Sequence, residues 1–181
     1  MNFKAQNQNM KRPWLNYYAS PSIAELTYPD GTMYDAFREA ALQNPEAAAI
    51  DYNNIRISFR ELHQQVLRCA KALQELGAGR GDRITVCLPN IPQAVIVFYA
   101  ILYIGAEANM IHPLSAGNEI EFYVNMSKSS ILFMFDAFFG KLDGIRCPSL
   151  RKTVFAGAAD LLPVYMRAGF RLTQGRKIKT P

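Results

Sequence analysis

Apolar residues recur through the middle of the chain in two kinds of run, spaced by three and four or unbroken, and the two kinds alternate. Phe59, Leu62, Val66, Cys69, Ala70, Leu73 and Leu76 follow the first spacing, which puts them along one side of a 3.6-residue helix. Ser58 and Glu61 precede this stripe at the spacing of a capping box, in which hydroxyl and carboxylate each bond an orphan amide of the first turn. Gly77 follows it and can take the left-handed angles that close a helix. Residues 83–88, RITVCL, are rich in β-branched side chains and too few for a helix, so they predict a buried strand. Pro89, Asn90 and Pro92 break that strand, and Asn90 with Gln93 predicts a second N-terminal cap. From 94 to 104 every residue is apolar or aromatic, and a helix without a polar side is expected to be covered all round. The run is well short of the roughly 20 residues that cross a bilayer, so it predicts a core helix, ended by Gly105. Residues 58–105 thus read as one crossover unit of an α/β sheet.

The flanking chain extends the same alternation. Thr32, with Asp35 as its capping partner, predicts a short helix that turns Met33, Phe37 and Ala40 to one side and stops near Asn44 and Pro45. Residues 48–52 and 55–58 flank Asn53 and Asn54, a pair that tolerates the positive φ of a tight hairpin. Residues 108–111 read as a strand closed by His112 and Pro113, and residues 118–126 as a helix with Ile120, Tyr123 and Val124 inward. Residues 130–135, SILFMF, predict a further buried strand, and Asp136 ends it where a polar residue marks the carboxyl edge of a sheet. Residues 153–155 add a fourth strand and 161–168 a last helix. The fold class is therefore α/β: a largely parallel sheet with helices on both faces, plus a β-hairpin. No internal repeat is visible.

Composition narrows the function more than it fixes it. At 181 residues one domain is the default, large enough to bury about 70% of its unfolded surface. Hydrophobic residues make up 50% and charged residues 19%, the latter below the usual quarter. A piece cut from a larger globule would have this little solvated surface, and so would an ordinary hydrophobic domain. The net charge is +5, spread along the chain except where Arg171, Arg176, Lys177 and Lys179 crowd together. No interleaved aromatic platform accompanies them, so a solvated connector is expected and no nucleic-acid partner. Cys69, Cys87 and Cys147 are an odd, scattered set without a CxxC or a histidine at ligand spacing, which suggests neither zinc nor a disulfide framework. The start, MNFKAQNQNMKRPW, lacks an apolar core behind its charges, so it is not a secretory signal and a cytoplasmic protein is expected. Trp14, Leu15, Tyr17 and Tyr18 are candidates to clamp this arm onto the globule.

Several patterns imitate chemistry. Gly77, Gly79 and Gly81 look like a phosphate loop, but a dinucleotide fingerprint lies between a strand and the helix after it. Here the order is helix, glycines, strand, so the glycines serve a helix stop and a turn, and a nicotinamide-binding fold is disfavoured. Arg80, Gly81 and Asp82 spell an adhesion tripeptide with no export signal to give it meaning. Asp51, Asp82 and Asp136 have no second carboxylate or histidine at useful spacing, and His63 and His112 are isolated.

Taken in order, ISFREL, then ALQELGAGRGDRITVCLPN, then AILYIGAEANMIHPLSAGNEIEF resembles the N-terminal region of the AMP-forming acyl-CoA synthetases, the AMP-dependent synthetases and ligases. The upstream TMYDAFREAALQNPEAAAIDYNN is similar to that family's opening helix and hairpin, and LLPVYMRAGFRLTQGRKIKTP to the stretch before its nucleotide loop. The resemblance runs from about Trp14 onward. His112 stands where many members have Asn before the proline. In that family a carboxylate attacks the α-phosphate of ATP, giving an acyl-adenylate and pyrophosphate, and the thiol of coenzyme A then displaces AMP. Amides, hydroxyls and a lysine from a Ser/Thr/Gly-rich loop, with magnesium, offset the developing charge. No such loop occurs between Met1 and Pro181. The resemblance therefore assigns no catalytic, cofactor-binding or metal residue here. It implies ATP, Mg and CoA for a full-length parent and none for this fragment alone.

The expected organisation is a flexible polar N-terminus over 1–13, an α/β subdomain over 14–170, and a basic connector over 171–181 towards a missing C-terminal part. The expected partners are the remainder of the parent chain and, through exposed apolar surface, a second copy. No membrane span is expected. A non-catalytic α/β binding or assembly module is the alternative.

Overall fold

A computed structural model describes residues 13–19, 28, 30–157 and 159–160. The chain divides into residues 1–32 and 33–181. In the first unit Pro13–Tyr17 forms a 3-10 turn, and Trp14, Tyr17 and Tyr18 are exposed. The expectations for the N-terminal arm, the final helix at 161–168 and the basic tail fall largely or wholly outside the described residues.

The second unit opens with helix α1, Met33–Gln43. Its buried residues are Tyr34, Phe37 and Ala41, one position on from two of the expected three. Met33 is 61% exposed. The side is set by Tyr34, whose hydroxyl lies 2.9 Å from Nε2 of His63 and whose ring meets that of Tyr103 edge-on at 5.0 Å.

Strands β1, Ala48–Tyr52, and β2, Ile55–Ser58, pair antiparallel. Asn53 and Asn54 turn between them with φ of 48° and 62°, the pair of left-handed residues that a two-residue hairpin needs. Helix α2, Phe59–Glu75, follows at once. Its capping box is complete: the Glu61 amide donates to Oγ of Ser58 at 3.2 Å, and the Ser58 amide donates to Oε2 of Glu61 at 2.8 Å. Leu62, Val66, Ala70 and Leu73 are buried, whereas Leu76 lies past the last turn and is 38% exposed. Gly77 takes φ of 81°, and the Ala78 amide reaches back to the Leu73 carbonyl, which closes the helix as expected.

The main sheet has four strands in the order β4-β3-β5-β6, all parallel. They are β3, Arg83–Cys87; β4, Glu107–Met110; β5, Ile131–Phe135; and β6, Lys152–Ala156. Ile84, Val86, Ile131 and Phe133 pack with α2 and with α3, Pro92–Tyr103. Cys87, Leu132 and Met134 pack on the opposite side with Ile120 and Val124 of α4, Gly117–Ser127. The sheet is thus covered by helices on both faces, which is why β3 and β5 read as unbroken apolar runs.

Two expectations for α3 are corrected. Asn90 does not cap it: Ile91 occupies the cap with no side-chain bond and Pro92 begins the helix, where the missing N–H of proline costs nothing. Nor is its whole perimeter covered. Ile96, Val97, Ala100 and Ile101 are buried, but Val95, Phe98 and Tyr99 are half-buried and Tyr103 is 45% exposed. Among the described residues no helix is long and apolar enough to cross a membrane.

Candidate functional site

In an open α/β sheet, ligands enter at the carboxyl ends of the strands, where successive crossovers leave to opposite sides. Here that point lies between β3, whose crossover runs to β4, and β5, which leads on to β6. The residues that follow these strands are Asn90 and Ile91 after β3 and Asp136 after β5, where a 3-10 helix, Asp136–Leu142, begins. The sequence placed Asp136 at this edge and gave no sign of the 3-10 turn.

Asp136 is the most unusual polar group there. Its Oδ1 is buried without a hydrogen-bond partner. Burial raises its carboxyl above the usual carboxylate range, the Ala137 amide pulls the other way, and Asp160 adds to the rise. Gly157 is pressed against it, since a Cβ at that position would sit 2.6 Å from Oδ2 of Asp136. The Gly157 amide donates to Oδ2 of Asp160 at 2.7 Å, and its carbonyl accepts from Nε2 of Gln93 at 3.0 Å. Gln93, read from the sequence as half of a cap, instead fastens α3 to the end of β6. Nothing local in the sequence marks that contact, which spans 64 positions.

The other candidates are accounted for by structure. Asp51 pairs with Arg56 at 3.0 Å on the hairpin. Asp82 accepts from the Gly79 amide at 2.9 Å and faces Arg151 at 3.6 Å, so the glycine cluster is a tied turn at the amino end of β3. The thiol of Cys87 donates to the His112 carbonyl, and Nδ1 of His112 accepts from the Leu114 amide at 3.2 Å. Lys141 gives its Nζ to the carbonyls of Pro113 and Ser115 and lies 4.4 Å over the ring of Phe138. The three cysteines are free, and burial raises all three thiols, that of Cys69 to about 11. Among the described residues no group of three or more His, Cys, Asp or Glu is placed to hold a metal ion.

Among the described residues at this edge, Asp136 and Asp160 are anionic when ionised. The pocket that is present is mostly apolar, with Asp51 and Asn90 as the polar part of its lining. Beside the edge, Ile50 and Tyr52 of the hairpin, Ile91, Pro92, Val95, Phe98 and Tyr99 around α3, and Met110 line an open groove of about 480 Å³. A volume of that order suits a drug-sized molecule or a short peptide segment.

The sequence also missed a buried polar ring on the α4 side of the sheet. Nδ2 of Asn109 donates to Oγ1 of Thr85 at 2.9 Å and to Oγ of Ser127 at 3.1 Å. Thr85 donates on to Ser129 at 2.8 Å, Ser129 and Ser127 are 2.8 Å apart, and Ser127 donates to the Val124 carbonyl. Thr85 and Ser129 are fully buried.

Comparison with known proteins agrees with the fold. The family described as AMP-binding enzyme matches residues 37–167. A long-chain-fatty-acid–CoA ligase of Bacillus subtilis (strain 168) is 28% identical over 169 residues, 93% of this chain and 30% of the relative. An acetyl-coenzyme A synthetase of Xylella fastidiosa (strain Temecula1 / ATCC 700964) is 36% identical over 55% of this chain and 15% of its own length. Among solved structures, the N-terminal domain of FACL13 from Mycobacterium tuberculosis superposes with a TM-score of 0.67 at 22% identity, over 83% of this chain and 37% of that one. The anthranilate CoA ligase AuaEII, solved with anthranoyl-AMP, gives 0.66 at 21% over 75% and 26%. The chain therefore spans less than a third of the length of these two curated relatives. With its parallel sheet, hairpin and matched span together, the chain belongs to the AMP-binding enzyme family, as the kind of α/β unit found in the N-terminal region of that family's acyl-CoA ligases.

Proposed function

We propose that this chain is the scaffold portion of an ATP-dependent, AMP-forming acid–thiol ligase, which converts a carboxylate, ATP and CoA to acyl-CoA, AMP and pyrophosphate through an acyl-adenylate. The observation that carries the reading is coverage: 93% of this chain aligns with 30% of a long-chain-fatty-acid–CoA ligase. In this reading ATP, magnesium and CoA are cofactors of the full-length parent, as they are for the family's ATP-dependent ligases. In this reading 14–170 is the subdomain, 1–13 a polar lead and 171–181 a basic connector, the protein works in the cytoplasm, and its main partner is the remainder of its own parent chain.

ATP–pyrophosphate exchange with a panel of short, long and aromatic carboxylates tests the reading. The purified 181-residue chain is expected to show no exchange above a protein-free control. Exchange by the isolated chain would overturn the scaffold assignment.

A second reading, an assembly module, draws on α4, where Phe122 and Met126 lie four apart and are 61% and 63% exposed. Contiguous apolar surface of this kind favours self-association. Sedimentation velocity across a tenfold concentration range separates the two, because a scaffold portion needs no second copy.

A further inference from the structure

Helix α4 turns Ile120 and Val124 to the sheet and carries an apolar pair on its outer side. Phe122 and Met126 are neighbours there, one turn apart, and are 61% and 63% exposed. With Asn118, Glu121 and Asn125 they line a shallow, open depression. Two charges beside the pair lack an opposite charge. Glu119 is committed to the Ala116 amide at 2.8 Å, but Glu121 takes part in no ion pair among the described residues, and neither does Lys128, the exposed C-cap residue. These two stand seven positions apart, about two turns, which puts them towards opposite ends of one flank. We propose that a second copy of this chain packs on this face with its α4 antiparallel, so that Glu121 of each copy meets Lys128 of the other.

Charge complementarity selects this occupant and this orientation. A two-fold axis across the paired helices exchanges their ends while leaving each flank beside its own counterpart, so the acid near one end and the base at the other become neighbours twice. A parallel pairing would instead set Glu121 against Glu121 and Lys128 against Lys128. The same axis, passing between Phe122 and Met126, lays the ring of each copy near the thioether of the other, which is a favourable contact. Asn125 does not obstruct it, because its amide group is held on the Arg146 carbonyl at 2.9 Å. A helix of 11 residues is about 16 Å long, so one face from each copy falls short of the roughly 1,200 Å² of a stable interface. The pair is therefore transient, with a Kd above about 1 μM. This inference rests on the assembly reading of α4 given above and fixes its partner and orientation.

The test is sedimentation equilibrium of the full chain from about 10 μM to about 1 mM, a range that brackets transient affinities, at low ionic strength, where exposed charges are least screened. A monomer–dimer equilibrium is expected. Glu121→Lys and Lys128→Glu should each weaken it at least about fourfold, because each turns two rim attractions into two repulsions. These variants change the net charge in opposite directions, so a general charge effect would weaken one and strengthen the other. An equal mixture of the two, and the double variant carrying both changes, should regain association near that of the wild type. Both side chains lie outside the core, and the far-ultraviolet circular dichroism of each variant is expected to be unchanged. No dimer at any concentration would overturn this inference and the assembly reading together. A dimer indifferent to the single changes, or one that the mixture does not regain, would overturn the antiparallel pairing and leave the assembly reading standing.

Discussion

Thr85→Val tests whether the buried polar ring on the α4 side of the sheet holds the fold together or merely sits within it. The substitution keeps the shape and removes the hydroxyl from a fully buried position on β3. The Asn109 amide group then loses its 2.9 Å acceptor and keeps the Ser127 hydroxyl at 3.1 Å, with the Tyr123 carbonyl at the limit of bonding, 3.5 Å. Leaving one buried N–H poorly satisfied costs about 1–3 kcal/mol, and the added methyl returns about 0.8 kcal/mol. A net loss of about 0.2–2.2 kcal/mol is expected. With a urea m-value of about 2 kcal/mol/M for a small domain, that moves the midpoint down by about 0.1–1.1 M. Circular dichroism is the right probe, because the single tryptophan, Trp14, lies in the other unit of the chain. In an Asn109→Ala background the amide is already gone, so Thr85→Val should cost at least about 0.5 kcal/mol less, the lower bound for coupled neighbours. A wild-type midpoint for Thr85→Val, or strict additivity in the cycle, would refute the account.

Two further outcomes follow from the titrating groups. The folded state raises the Asp136 carboxyl above its usual range, chiefly by burial, so the native chain holds this proton more tightly than the unfolded one. Stability from this group is therefore present at low pH and is lost as pH rises through the folded value. Asp136→Asn is expected to stabilise the chain at pH 7 and to lose that advantage near pH 4; equal urea midpoint shifts at both pH values would count against it. Burial lifts the Cys69 thiol to about 11, so at pH 8 about one molecule in a thousand carries the reactive thiolate. Iodoacetamide mapping should find Cys69 labelled at least a hundredfold more slowly in the native chain than in urea, and equal rates would show that the site is open.

The sequence was most readable where local chemistry and burial agree. The capping box at Ser58 and Glu61, the αL stop at Gly77 and the Asn53–Asn54 hairpin are decided within a few residues, and each stands as expected. Strands β3 and β5 were visible because both their faces are buried, which makes them unbroken apolar runs. Legibility fails where a residue's role depends on a distant partner. Gln93 has the spacing of a capping residue, but its partner is Gly157. In α1 the inner side is decided by the bond between Tyr34 and His63, not by Met33. The apolar groove draws on the hairpin, α3 and β4, so no window of the chain displays it. Periodicity showed α3 to be uniformly apolar and could not show that part of it would stay half-open.

The strand order has a consequence for how the chain emerges during synthesis. Ile84 lies beside Ala108 on one flank and beside Ile131 on the other, so β3 must wait for 131 − 84 = 47 further residues before both its edges are occupied. At about 5–20 residues per second that interval lasts about 2–9 s. Throughout it, an apolar strand offers free backbone groups to any neighbouring nascent chain. Slowing translation within residues 88–131 should lengthen this window and raise the fraction captured by chaperones or lost to aggregates, whereas slowing after β6 is complete should not.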